Sequence, residues 1–110
     1  MQLSSEIIKV AHILFPEDSQ EEVISILQND CGKNVLSSNY QNEIERIQLA
    51  ALKMSNGEIE SLYSAIALAQ TDWRDLLMAA GFGENVKSHI SWAKGFILAS
   101  KQANLTSSRS

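Results

Sequence analysis

The tetrad Asp72-Trp73-Arg74-Asp75 sets two carboxylates three residues apart, beside a guanidinium and an indole. On a helix such a pair shares one side, where it can exchange a proton as acid and base or offer oxygens to a cation. His89 would add a nitrogen donor, with Arg74 and Trp92 shaping a pocket, so Asp72, Arg74, Asp75 and His89 form one candidate polar site. The same residues also have a simpler use. Asp in the first turn of a helix accepts free backbone N–H groups and meets the positive end of the dipole, and Thr71-Asp72 has the composition of an N-cap. Arg74 then has Glu60 or Glu84 as a candidate ion-pair partner. No nucleophile stands in a pattern with a base, and neither a metal-ligand spacing nor a phosphate loop is present. No residue is therefore assigned a catalytic, cofactor-binding or metal-binding role, and nothing in the pattern asks for a cofactor or an enzyme.

Trp92 and Phe96 are a second kind of candidate. Large rigid rings bury area at low entropy cost, which is how protein interfaces are anchored, and with Lys94 they make a candidate contact surface. Lys87, Lys94 and Lys101 recur every seven residues and so line one helical ridge. Such a ridge could meet phosphates with Trp92 stacking, but lysine stems also simply cover apolar surface. Glu17, Asp18, Glu21 and Glu22 form an acidic patch able to cover a basic partner. At or before Glu84 stand 13 acidic and 5 basic residues, a balance of −8, whereas the rest of the chain has four basic residues and no acid. With a pI near 5.0 overall, nucleic acid is not the expected partner.

The elements that must position these residues read as helices. Ser4-Ser5-Glu6 caps a run whose face is Ile7, Val10, Ala11, Leu14 and Phe15, and Pro16 ends it by excluding Phe15 from helical backbone. Ser19-Gln-Glu-Glu22 has capping-box spacing and opens a second helix with Val23, Ile26 and Leu27 inward, closing near Asn29 to Gly32. Ser38-Asn-Tyr-Gln41 opens a third, whose stripe is Tyr40, Ile44, Ile47, Ala51 and Met54, with Glu43, Glu45 and Arg46 facing away. Asn56-Gly57 then turns the chain into an αα-hairpin, since both residues tolerate left-handed backbone. Ile59, Ile66, Trp73 and Ala80, with Leu62, Ala69 and Leu76, form a heptad seam over 58–80, and a bend is expected at Thr71. The last helix, Asn85 to about Gln102, shows two apolar faces: Val86, Ile90, Ala93 and Ile97 on one side, Trp92, Phe96, Ala99 and Ala103 on the other.

At 110 residues and 45% hydrophobic, the chain suits one domain, expected over 1–104 with a flexible tail at 105–110. The single cysteine, Cys31, excludes an internal disulfide and reads as a small buried residue. No apolar run approaches the roughly 18 residues of a membrane span, and the N-terminus has neither a basic leader nor a cleavage signal, so a cytoplasmic setting without membrane contact is expected.

The strings Arg46 to Gly57, RIQLAALKMSNG, and Ala69 to Leu77, AQTDWRDLL, resemble a family of small bacterial proteins that share an R-[IV]-x-[LI]-A-x-L-K-L-x-x-G element followed by A-x-x-D-[WY]-R-D-[LV]-L. The resemblance covers about half of the chain. Met54 departs from the pattern, where leucine is common, and residues 1–37 carry no part of it. It implies a bacterial, cytosolic, all-helical protein and no particular activity.

Together these readings predict an all-α protein, an irregular bundle of four to six helices around a central αα-hairpin. The expected function is a non-enzymatic protein-binding or adaptor module, self-associating or meeting a protein partner through the Trp92/Phe96 face. The alternatives are a small-ligand or metal site at Asp72, Asp75, His89 and Trp92, and an acidic inhibitor or immunity-type protein acting through Glu17 to Glu22.

Overall fold

The computed structural model describes residues 3–31, 41–83 and 87–108, with backbone alone at 41, 42 and 102–108. Among the described residues the chain is all-helical, in five helices: α1 (Ser5–Leu14), α2 (Glu17–Asp30), α3 (Gln41–Ser55), α4 (Ile59–Ala80) and α5 (Ser88–Ser108). None of them is long and apolar enough to cross a membrane. Ser38 to Tyr40 of the expected capping box, the Gly32 exit, Glu84, Val86 and the side chain of Ala103 lie outside the described residues.

Local chemistry sets most boundaries. The Ser4 hydroxyl accepts from Ile7 N at 3.3 Å, and Phe15 turns extended (φ −115°, ψ 144°) before Pro16. The second helix begins two residues ahead of the expected Ser19 box, with Pro16 at the cap and Glu17 and Asp18 in the first turn. Proline has no N–H to leave unpaired and its fixed φ suits a helix start, so it makes Ser19 an interior residue. Gln20 then turns back, its amide donating to the carbonyls of His12 (3.1 Å) and Phe15 (3.0 Å), and so binds the end of α1 to the start of α2.

Helix α3 is the centre of the core. Leu49, Ala50, Ala51 and Leu52 have no exposed surface at all, so the helix is covered on every side along that turn. It packs most extensively on α4 and also meets α1 and α5, while α1 touches α2, α3 and α5. This enclosure overturns one detail of the expected stripe: Arg46 (7% exposed) and Gln48 (1%) are inside, and Met54 (41%) is outside. Gln48 Nε2 donates to the Cys31 carbonyl at 2.9 Å, tying α3 to the end of α2. Cys31 is a free, buried thiol, and burial first, then the Asp30 charge, pushes its pKa up to about 12.

The hairpin turn is built as expected, with Asn56 at φ 51° and Gly57 at φ 82°. Gly57 is needed twice over, because a Cβ there would stand 2.7 Å from the Leu14 carbonyl oxygen as well as in left-handed backbone. Gly57→Ala is expected to cost about 2 kcal/mol, read as a lower denaturant midpoint at unchanged slope.

Helix α4 carries the heptad seam: Leu62, Ile66, Ala69, Leu76 and Ala80 are buried, and Ile59 and Trp73 pack at its edge. The expected bend is present one residue on, at Asp72 (φ −155°, ψ 91°), within an otherwise continuous helix. The α5 backbone runs to Ser108, past Gln102 and into the segment read as a tail.

Candidate functional site

The end of α4 is closed by Gly81 in left-handed backbone (φ 81°), with Phe82 N donating to Leu77 O at 2.8 Å and Gly81 N to Met78 O at 3.1 Å. This is the Schellman arrangement, which satisfies two of the four orphan carbonyls. Two cations from α3 serve others nearby. Lys53 Nζ donates to Ala80 O at 2.7 Å, and Arg46 Nη2 donates to the Phe82 carbonyl while Nη1 reaches Glu43 at 3.2 Å. Positive charge is favoured at this helix end by the dipole. Spaced seven residues apart, Arg46 and Lys53 are two turns along α3 and reach the same loop.

Over this loop four rings gather. Phe82 meets His89 edge-on at 6.3 Å and Trp92 at 5.9 Å, and Trp92 stacks on Phe96 at 5.3 Å with 18° between planes. The Lys53 ammonium stands 5.0 Å from the Phe82 ring centre and 5.8 Å from that of Trp92, a cation–π pair that also screens the amine from solvent. Trp92 and Phe96 are half-buried here and hold α5 against the hairpin.

His89 is 4% exposed, and its Nδ1 has no hydrogen-bond partner among the described residues. Burial first, then the Arg46 charge, holds its pKa below the ordinary 6.5, with Glu43 opposing. The folded state thus binds this proton less well than the unfolded chain. The contribution of His89 to stability is intact above about pH 6.5 and is lost as pH falls from there through the depressed folded value. His89→Phe is expected to flatten the urea-midpoint curve in that window; an unchanged curve would mean that His89 titrates as in a free chain.

The tetrad sits elsewhere. Asp72 Oδ1 accepts from Arg74 N at 3.2 Å and Asp75 N at 3.4 Å, so its carboxylate caps the second segment of α4. Arg74 lies over the Trp73 ring at 5.3 Å. Asp72, Arg74 and Asp75 are all exposed, whereas His89 is buried beside Phe82 and Arg46. Among the described residues no group of three or more His, Cys, Asp and Glu could hold a metal ion.

The two apolar faces expected for α5 resolve into one. His89, Trp92, Ala93, Phe96, Ile97 and Ser100 are buried or half-buried, following the i, i+3, i+4 pattern of a single inward stripe. Ile90 (39% exposed) and Leu98 (57%) point outward among Lys87, Lys94 and Lys101. With α1 this outer face makes an open groove of about 350 Å³ lined by Glu6, Lys9, Lys94, Ile97, Leu98 and Lys101. A separate cleft of about 490 Å³ is lined by Glu17, Glu21 and Ile24 of α2 with His12 of α1. The seven-residue spacing made the lysine ridge legible; the groove that Lys94 and Lys101 form with Lys9, 85 residues from Lys94, had no sequence signal.

Compared with known proteins, the chain matches no family model, and neither a curated protein nor a solved structure is similar to it.

Proposed function

We propose that this chain is a non-enzymatic protein-binding module, working through the groove between α1 and α5, and that the groove takes an acidic amphipathic helix. The observation that carries the reading is Leu98, a large apolar side chain more than half exposed, set with Ile97 as the floor beneath three lysines. Those lysines come from two helices, Lys9 from α1 and Lys94 and Lys101 from α5, so they surround the floor. A helix laid in such a groove would bury its apolar stripe on Ile97 and Leu98 and set carboxylates against the ammonium groups. The charges would steer the encounter and fix the register, and the apolar floor would hold the complex.

The irregular bundle about the α3–α4 hairpin is the frame in this reading, and the Trp92–Phe96 stack is the clamp that holds the working helix on it. A cytoplasmic setting is part of the proposal, supported by the free, buried thiol of Cys31. The acidic balance of the chain up to Glu84 favours a protein partner over nucleic acid.

The test is a titration of a labelled acidic amphipathic peptide of about five turns, followed by fluorescence anisotropy at low and high salt. Saturable binding that weakens by at least about tenfold in Lys94→Glu/Lys101→Glu, and that a scrambled peptide of equal charge does not reproduce, supports the groove. Equal binding by the double variant, or none by the wild type, sinks it.

A further inference from the structure

We propose that the occupant of the α1–α5 groove is the outer face of α2 from a second copy of this chain, which joins copies head to tail. The proposal rests on the groove being a docking site for an acidic helix, and it names that helix. The outer face of α2 has the required chemistry: Glu17, Asp18, Glu21 and Glu22 are all exposed, and Ile24 is half-buried beside them. Glu17, Glu21 and Ile24 follow one another at i, i+4 and i+7, a single stripe of two carboxylates and one apolar group. Lys94, Leu98 and Lys101 have the same spacing on α5, and with the two helices antiparallel and Ile24 laid on Leu98, Glu21 faces Lys101.

The placement of the two surfaces decides the symmetry. Helix α1 touches both α2 and α5, and the acidic cleft and the basic groove share no residue, so they are separate patches. A two-fold dimer through the α5 face would set Lys94 and Lys101 of one copy against the same lysines of the other, and like charges in contact repel. Joining patch to unlike patch removes that conflict, and the joined pair keeps one free groove and one free acidic face. Such a heterologous contact does not stop at two unless a ring closes. Screening limits the attraction to short range, about 8 Å at physiological salt, so the contact is sensitive to ionic strength.

The experiment is sedimentation velocity on the full chain across a concentration series, at low salt and at about 0.5 M salt. Two charge-reversed variants, K94E/K101E and E17K/E21K, are run alone and as an equimolar mixture, with circular dichroism to confirm that each is folded. The wild type is expected to grow past dimer with concentration and to return to monomer in high salt. Each variant alone is expected to stay monomeric, and the mixture to associate again, because each then offers the other an unlike patch. Wild type that stays monomeric, or a mixture no larger than its components, overturns the proposal. If the wild type stays monomeric yet binds the acidic peptide through Lys94 and Lys101, the groove stands and only the second copy is excluded. If the peptide also fails to bind, both readings fall.

Discussion

Phe82→Ala is expected to lower the unfolding free energy by about 4 kcal/mol, the range for deleting a fully buried aromatic ring. Phe82 is 1% exposed and is the ring on which His89, Trp92 and the Lys53 ammonium all converge. Its loss opens a cavity between the hairpin and α5, and leaves Lys53 with the more distant Trp92 face alone. Against a total stability of roughly 5–15 kcal/mol for a chain of this kind, that is a large share. Urea titration monitored by tryptophan fluorescence gives the number, and Phe82→Leu should recover most of it because the volume is nearly kept. A loss under about 1 kcal/mol for the alanine variant would show that the ring cluster does not hold α5 in place.

Arg46→Met should cost about 3 kcal/mol for a different reason. The methionine fills much of the same space but cannot donate, so the buried Phe82 carbonyl and the half-buried Glu43 carboxylate both lose their partner. Arg46→Lys is expected to rescue little, since one ammonium cannot serve both acceptors as the planar guanidinium does. A second readout separates this from simple loss of packing. Arg46 is a cation that depresses the His89 pKa, so removing it should move that value up toward the ordinary one and narrow the acid-sensitive window. Because Arg46 binds the carbonyl of the very residue whose ring anchors α5, the Phe82 and Arg46 variants share partners and should not add. Their double-mutant cycle measures the coupling between the loop's backbone and its ring.

What could be foreseen from the chain is what depends on neighbours in sequence. Ser4, Pro16 and Asn56-Gly57 act on backbone within a few residues of themselves, and the structure uses them at or near their expected places. The Ile59 to Ala80 seam survives the kink because Asp72 breaks the backbone path without shifting the heptad phase. The candidate site was harder to see because its bonds are distant. Arg46 meets a carbonyl 36 residues on and Lys53 one 27 residues on, and neither residue type announces a buried end. Arg46 was expected outside for that reason: a guanidinium between apolar positions reads as exposed until an acceptor is found for it. The opposed faces read into α5 have a similar origin. Counting His89 as polar split one inward stripe in two, and only its burial against Phe82 joins them.

The break at Asp72 also bears on how the molecule opens. It divides α4 into Ile59–Thr71, which follows the hairpin turn, and Trp73–Ala80, which leads into the loop on which the α5 rings gather. A helix without that break would exchange its amide protons as one unit. Here the second segment, the Gly81–Gly83 loop and α5 can detach together about a single residue while α3 and the first segment stay paired, so hydrogen exchange should resolve two cooperative units, the faster one carrying α5.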